Sequence, residues 1–190
     1  DFPHEETLSK HLSVFDRLLP EHSALLLSDY GKGGLSHITH MIAGAREAGL
    51  PILVDPKGSD YDRYKGATVI TPNRAELQQV VGQWRSESDL KERAHNLRHH
   101  LNLKYLLLTR SEEGMTLYSD EGSLTVPTQA REVFDVSGAG DTVIAVLATM
   151  IASGAPIEDA VRISNRAAGI VVGKLGTASV SYAELFGDAQ

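Results

Sequence analysis

Short apolar runs that end at polar side chains alternate along this chain with segments of helical periodicity. A short run that is apolar at every position is typical of a strand that is buried on both faces. Such runs predict four strands, at residues 23–29, 51–54, 67–70 and 105–108. Because strands and helices alternate, we expect an α/β protein with a mostly parallel sheet and helices on both faces.

The spacing of apolar residues between and after these runs predicts the other elements. Before the fourth of these strands, at 105–108, helices are expected near 7–19, 35–49, 77–81 and 86–101. Two further runs, at 114–118 and 124–126, predict a β-hairpin. The most apolar helix is expected directly after Asp141, and a last long helix opens at Pro156.

The composition excludes several classes of function. A net charge of −7 argues against a nucleic-acid partner, which needs a basic surface. No apolar stretch is long enough to predict a membrane partner or span. The absence of cysteine excludes disulfides and cysteine-rich zinc sites, and we expect a cytoplasmic location.

Each predicted strand is followed by a polar side chain. Asp29, Asp55, Asn73 and Thr109 stand at these four positions. Ligands of parallel α/β sheets bind beyond the carboxyl ends of the strands. The sequence therefore predicts a row of ligand-facing groups at one edge of the sheet.

A glycine-rich tetrapeptide, Gly138-Ala139-Gly140-Asp141, stands directly before the most apolar helix. Small residues let backbone N–H groups approach an anion, and a helix N-terminus adds partial positive charge. Such a loop stabilises a phosphoryl group in transfer, and a carboxylate at its mouth can take the proton of an attacking hydroxyl. The alternative is an aspartate helix cap after a glycine-rich turn, and the tetrapeptide alone leaves both interpretations open.

The longer string Asp135-Val136-Ser137-Gly138-Ala139-Gly140-Asp141 resembles the D-[TS]-x-G-A-G-D pattern of the ribokinase (PfkB) family of carbohydrate kinases. Four further features follow the family's order: Asn73-x-x-Glu76, the segment 109–114, Asn165 and the loop 173–177. The strings at 27–33, 54–58 and 171–177 resemble in particular the branch of the family that acts on a heptose phosphate.

The resemblance implies a three-layer α/β/α ribokinase-like fold and ATP-dependent phosphorylation of a sugar. In the heptose branch the acceptor is O1 of D-glycero-β-D-manno-heptose 7-phosphate, on the route to ADP-heptose and lipopolysaccharide. Asp141 would then be the base, and the N–H groups of Ser137, Gly138, Ala139 and Gly140 would form an anion hole. The partners expected are ATP and a phosphorylated sugar.

The resemblance also assigns cofactor sites. Asn73 and Glu76 would organise Mg²⁺ near the phosphates, with Glu76 acting through water. The nucleotide would contact Thr109, Ser111, Gly114 and Asn165. A monovalent cation, K⁺ in parts of the family, would be held by Asp135, Ser137, Gly176 and Ser179.

Several candidate site residues, including Lys57 as a nucleotide contact, have structural alternatives. Asn73 and Glu76 also have the spacing of a capping box at a helix start, and the two roles can coexist. Lys57, and likewise Lys32, either meets a phosphate or is a solvated turn residue.

Residues 1–190 are expected to form a single partial kinase domain, the nucleotide-binding portion. The family's opening βαβ portion, its Gly-Gly-Asn motif and its β-lid have no counterpart in the sequence, so we expect these parts to be missing. The exposed edge or face of the sheet would be covered by a homodimer contact or a complementing chain. The sequence leaves open a non-catalytic nucleotide-binding module and a kinase for another sugar.

Overall fold

In the part of the chain that the computed structural model describes, residues 3–130 and 133–187, six strands form one sheet in chain order. They are β1 (Leu25–Ser28), β2 (Ile52–Asp55), β3 (Val69–Ile70), β4 (Tyr105–Thr109), β5 (Met115–Ser119) and β6 (Gly122–Val126). Neighbouring strands from β1 to β4 are parallel, and β4, β5 and β6 pair antiparallel. The predicted mostly parallel sheet and the hairpin are confirmed.

The described helices follow the predicted order, except that the last and shortest of them was not predicted. They are α1 (Glu5–Leu18), α2 (Ile38–Glu47), α3 (Arg74–Val81), α4 (Glu87–His100), α5 (Ala139–Ala152), α6 (Ile157–Val171) and α7 (Tyr182–Phe186). The prediction that α2 includes Leu35 is wrong, because the chain still turns there. Residues 34–37 form turns, and His37, with φ of −94° and ψ of 22°, is the N-cap residue after which α2 begins. None of the described helices is both long and apolar enough to cross a membrane.

Neighbouring residues of the central strands point into opposite layers. Val54 and Leu108 belong to a core that includes residues of α2, α3 and α4. Leu53 and Leu107 belong to a second core, which they share with α5 and α6. Both faces of β2, β3 and β4 are thus covered by helices, and this explains why these three strands are apolar up to their carboxyl ends. Burial of each such side chain contributes about 1.5–3 kcal/mol.

Candidate active site

The carboxyl ends of the parallel strands lie side by side. The N–H of Asp29, just after β1, donates to the carbonyl of Asp55 at the end of β2, over 2.9 Å. Asn73 forms an isolated parallel bridge with Thr109 at the end of β4. The predicted row of polar residues at one edge of the sheet is therefore confirmed, and the candidate site is built on it.

The glycine-rich tetrapeptide forms the first turn of α5 rather than a loop in front of it. Gly138 is the N-cap residue with φ of 76°, and the helix begins at Ala139. The prediction of a helix after Asp141 is wrong, because the left-handed conformation of Gly138 lets the helix begin at the next residue. Asp141 is the third helical residue, and no side chain caps the helix. The alternative that Asp141 is a helix cap is therefore wrong as well.

Three backbone amides at the start of α5 are available to an anion. Within residues 3–130 and 133–187, no atom accepts a hydrogen bond from the N–H of Gly138, Gly140 or Asp141. Two other amides of the predicted anion hole are engaged: Ser137 donates to Asp135 Oδ1 over 2.8 Å, and Ala139 donates to the carbonyl of Val136 over 3.2 Å.

The space beside the turn is open, because a Cβ on Gly140 would have no neighbour within 4 Å. Free N–H groups at a helix N-terminus attract negative charge. This part of the site therefore fits a phosphate group.

The Asp141 side chain is exposed and makes one long-range contact. Its Oδ1 accepts a hydrogen bond from the Tyr30 hydroxyl over 2.9 Å, across 111 residues of chain. The contact joins the end of β1 to the first turn of α5. The sequence analysis assigned no role to Tyr30. Its position directly after Asp29, at the end of a predicted strand, could have indicated that it lies near the site.

The loop that carries Tyr30 is anchored by the buried Asp29. Asp29 Oδ1 accepts from the N–H of Gly31 over 2.8 Å, and Oδ2 accepts from the Tyr64 hydroxyl over 2.8 Å. Burial raises the pKa of the Tyr64 phenol, so it stays a donor to this carboxylate at neutral pH. Arg63 adds a cation, with Nη1 at 3.6 Å from Asp29 Oδ2.

A second carboxylate, Asp55, lies within the field of Glu76 and Asp141. Burial raises the pKa of the Asp55 carboxyl to about 6, and the negative charges of Glu76 and Asp141 add to the rise. The Thr71 hydroxyl donates to Asp55 over 3.3 Å and opposes the rise. The site is therefore rich in negative charge, which a cation bound with a nucleotide would relieve.

Asn73 and Glu76 form the capping box that the sequence left as an alternative. Asn73 Oδ1 accepts from the N–H of Glu76 over 2.9 Å, and Glu76 Oε2 accepts from the N–H of Asn73 over 3.0 Å. Glu76 Oε1 is paired with Lys57 Nζ at 3.0 Å. The structure thus brings Lys57 to the Asn73–Glu76 motif, a long-range contact that the local sequence did not predict.

A divalent metal has no ready-made protein cage here. Among the described residues, no group of three potential ligands from His, Cys, Asp and Glu converges on one point. Mg²⁺ is commonly held by one or two carboxylates, several waters and substrate phosphates. Glu76 fits that pattern, because its carboxylate stands at the sheet edge and its side chain is 14% exposed.

The segment after β4 is a tight turn around a buried arginine. Ser111 has φ of 52° and Gly114 has φ of 89°. Arg110 donates through Nη1 and Nη2 to the Glu87 carboxylate, over 2.9 Å each, and also to Glu113. These bonds fix the segment in which Thr109, Ser111 and Gly114 are the predicted nucleotide contacts. Arg110 was missed, because a charged residue in a turn predicts exposure.

Asn165, the other predicted nucleotide contact, is buried in α6. Its Nδ2 donates to the backbone carbonyl of Pro127 over 2.7 Å. The amide side chain therefore ties α6 to the chain just after β6.

The residues predicted to hold a monovalent cation are partly brought together. Asp135 Oδ1 accepts from the N–H of Ser137, and Oδ2 accepts from the N–H of Gly176 over 3.2 Å. The bond from the Ser137 amide is the largest cause of a lowered Asp135 pKa. The Ser179 carbonyl instead accepts from Lys174 Nζ over 2.8 Å. The structure thus joins Asp135, Ser137 and Gly176 through hydrogen bonds, whereas the Ser179 carbonyl is occupied by the Lys174 ammonium.

Comparison with known proteins places this architecture in a family. The sequence profile of the pfkB family carbohydrate kinases matches residues 9–183. The chain belongs to the pfkB family. This PfkB chain is 55% identical to a D-beta-D-heptose 7-phosphate kinase from Bordetella bronchiseptica. The alignment spans 173 residues and covers 91% of the chain and 55% of that relative. The chain is 53% identical, over 176 residues, to the bifunctional protein HldE of Proteus mirabilis, covering 90% of the chain and 37% of that protein.

Solved structures of PfkB-like kinases share the fold. Phosphofructokinase-2 from Escherichia coli, in a complex with potassium, aligns with a TM-score of 0.81 at 18% identity over 97% of this PfkB chain and 61% of that one. Ribokinase from Arabidopsis thaliana, in a complex with ribose and ATP, aligns with a TM-score of 0.74 at 21% identity over 92% of the chain and 55% of that one. The predicted ribokinase-like α/β fold is confirmed. The chain spans about 55% and 37% of the lengths of the two curated relatives.

Proposed function

We propose that this chain belongs to an ATP-dependent kinase that phosphorylates O1 of D-glycero-β-D-manno-heptose 7-phosphate and yields the 1,7-bisphosphate on the way to ADP-heptose. One observation carries the chemistry: the first turn of α5 contains the free backbone amides of Gly140 and Asp141 together with the exposed carboxylate of Asp141. The choice of sugar is supported by 55% identity to a D-beta-D-heptose 7-phosphate kinase.

In the proposed reaction, Asp141 accepts the proton of the sugar hydroxyl while the hydroxyl oxygen bonds to the γ-phosphorus of ATP. The bond from that phosphorus to the oxygen bridging the β- and γ-phosphates breaks, and ADP leaves with that oxygen. The amides of Gly140 and Asp141 donate to the transferred group as its negative charge spreads over its oxygens. One helical turn thus supplies both the base and the charge stabilisation.

The remaining predicted residues are proposed to hold ATP and its cations. Glu76 would bind Mg²⁺ through water, and a bound divalent cation neutralises charge on the β- and γ-phosphates. Asp135 and its neighbours would hold K⁺. The nucleotide side of the site is proposed to consist of Lys57, Asn73, Thr109, Ser111, Gly114 and Asn165.

The test is Asp141→Asn in the complete natural polypeptide that contains these residues. The amide cannot take a proton, so we expect turnover to fall by about 10²–10⁴-fold, with the affinity for ATP retained in calorimetry. Asp159→Asn is the matched control, because Asp159 is also the third residue of a helix, α6, and is exposed outside the site. Unchanged turnover in Asp141→Asn would remove this residue from the role of base.

The same assay separates the two alternatives. ATP binding without turnover of any sugar would favour a non-catalytic nucleotide-binding module. Turnover that is faster with ribose or fructose 6-phosphate than with the heptose phosphate would favour a kinase for another sugar.

A further inference from the structure

Tyr30 makes a contact that packing does not explain. Tyr30 is 59% exposed, yet its hydroxyl donates to Asp141 Oδ1 over 2.9 Å. Tyr30 also lines a cavity of about 310 Å³ at the end of β1, together with Asp29 and Lys32. The bond to Asp141 therefore lies beside an open space and not inside the core.

The backbone that presents Tyr30 is held on both sides. Asp29 is 6% exposed, and it accepts hydrogen bonds from the N–H of Gly31 and from the Tyr64 hydroxyl. On its amino side, the backbone of Asp29 is tied to Asp55. A side chain on such a rigid support can define the position of its partner, as a side chain on a mobile loop cannot.

The bond restricts the orientation of the Asp141 carboxylate. The terminal torsion of an aspartate is soft and broadly distributed, so the backbone of α5 alone does not set the plane of its two oxygens. A phenol hydroxyl has one proton to donate and gives it here to Oδ1. Within the described ranges, 3–130 and 133–187, no side chain or amide donates to Oδ2. The oxygen without a partner is therefore the one that remains for an incoming hydroxyl.

We propose that Tyr30 is a positioning residue of the phosphoryl-transfer site: its hydroxyl holds Oδ1 of Asp141, so that Oδ2 is presented to the acceptor hydroxyl. The proposal rests on the proposed function, in which Asp141 is the base. It assigns to the loop after β1 a part in the proton-transfer geometry, in addition to any contact with the sugar.

Tyr30→Phe in the complete natural polypeptide tests the proposal, because it removes one oxygen and keeps the ring. We expect kcat to fall by roughly 10- to 100-fold, since loss of orientation slows the reacting step, while KM for ATP and for the sugar phosphate stay within about twofold of wild type. Tyr182→Phe is the matched control. Tyr182 is 69% exposed, and within the described residues its hydroxyl has no hydrogen-bond partner. This control is expected to leave kcat unchanged.

A double variant decides whether the hydroxyl acts through Asp141. In an Asp141→Asn background, Tyr30→Phe is expected to change the residual rate by less than about twofold, because the group that it positions is already disabled. The thermal midpoints of wild type and Tyr30→Phe are expected to coincide, since an exposed bond adds little stability, and coincidence excludes loss of activity through unfolding.

Several results would overturn the proposal. An unchanged kcat in Tyr30→Phe would show that the bond does not position the base. A raised kcat would mean that the hydroxyl occupies the place of the acceptor, and an effect on KM alone would make Tyr30 a substrate contact. The proposal would also be refuted if Tyr30→Phe lowered the rate by the same factor in the wild-type and the Asp141→Asn backgrounds. The proposed function is tested by different results: it is wrong if the wild type shows no turnover, or if Asp141→Asn is as active as the wild type. In either case the proposal for Tyr30 is wrong as well, because it requires Asp141 to be the base.

Discussion

Gly114→Ala tests whether the turn after β4 is built around a missing side chain. Gly114 has φ of 89° and ψ of −127°. A Cβ at this position would lie 2.1 Å from the carbonyl oxygen of Val126 and 2.7 Å from backbone atoms of Pro127 and Thr128. Val126 is paired with Met115 in the sheet, so its carbonyl cannot rotate away as a flexible side chain would.

The structure allows the cost to be divided into two parts. A left-handed φ costs a residue with a Cβ about 1–2 kcal/mol. Forcing a methyl group into filled space costs typically another 1–3 kcal/mol or so. We therefore expect the free energy of unfolding to fall by about 2–5 kcal/mol, and the melting temperature to fall with it.

Gly122→Ala is the control that isolates the clash. Gly122 begins β6, has φ of 121°, and would place its Cβ with nothing within 4 Å. In Gly122→Ala the free energy of unfolding should fall only by the cost of a left-handed φ, which is about 1–2 kcal/mol. Thermal unfolding by circular dichroism measures both variants in the complete natural polypeptide. Equal losses, or a smaller loss at Gly114, would refute the argument from the close approach of Val126.

Three further predictions concern charge. Burial raises the pKa of Asp55 to about 6, above the unfolded value of 3.8, so its contribution to the free energy of unfolding falls as pH rises from about 4 to about 6. In urea titrations, Asp55→Asn should raise the free energy of unfolding by about 1–2 kcal/mol at pH 7 and by little at pH 4. An unchanged free energy at pH 7 would show that the buried charge of Asp55 does not destabilise the fold. Arg110→Met should lower the free energy of unfolding by about 1–3 kcal/mol in the same titrations, because it removes the buried partner of two carboxylates. A free energy of unfolding equal to that of wild type would mean that these ion pairs are not stabilising. If Lys57 binds a phosphate of ATP, Lys57→Met should raise KM for ATP by about 10-fold, whereas the exposed Lys65→Met should not; equal KM values would make Lys57 a turn residue.

The candidate site was predictable where its residues are close in sequence. The capping box of Asn73 and Glu76 spans three residues, so spacing alone raised it as an alternative. The row at the carboxyl edge followed from the rule that parallel strands end together, and Asp29 and Asp55 indeed meet there. Both inferences needed only local pattern and strand direction.

Other features depend on contacts that no local pattern carries. The bond from Tyr30 to Asp141 joins residues 111 positions apart, and the pair of Lys57 and Glu76 joins the loop after β2 to the first turn of α3. The start of α5 was misplaced because it depends on the left-handed φ of Gly138, which a glycine permits but does not require.

The sequence by itself determined the layers of this protein. Apolar runs such as 105–108 are too short for an ordinary helix and have no polar face for water, so they favour strands that are covered on both faces. Only the tertiary structure decided which side chains meet at the edge of the sheet. Helical crossovers and the tight turn held by Arg110 set those distances, and a hydrogen bond forms only when donor and acceptor come within about 3 Å.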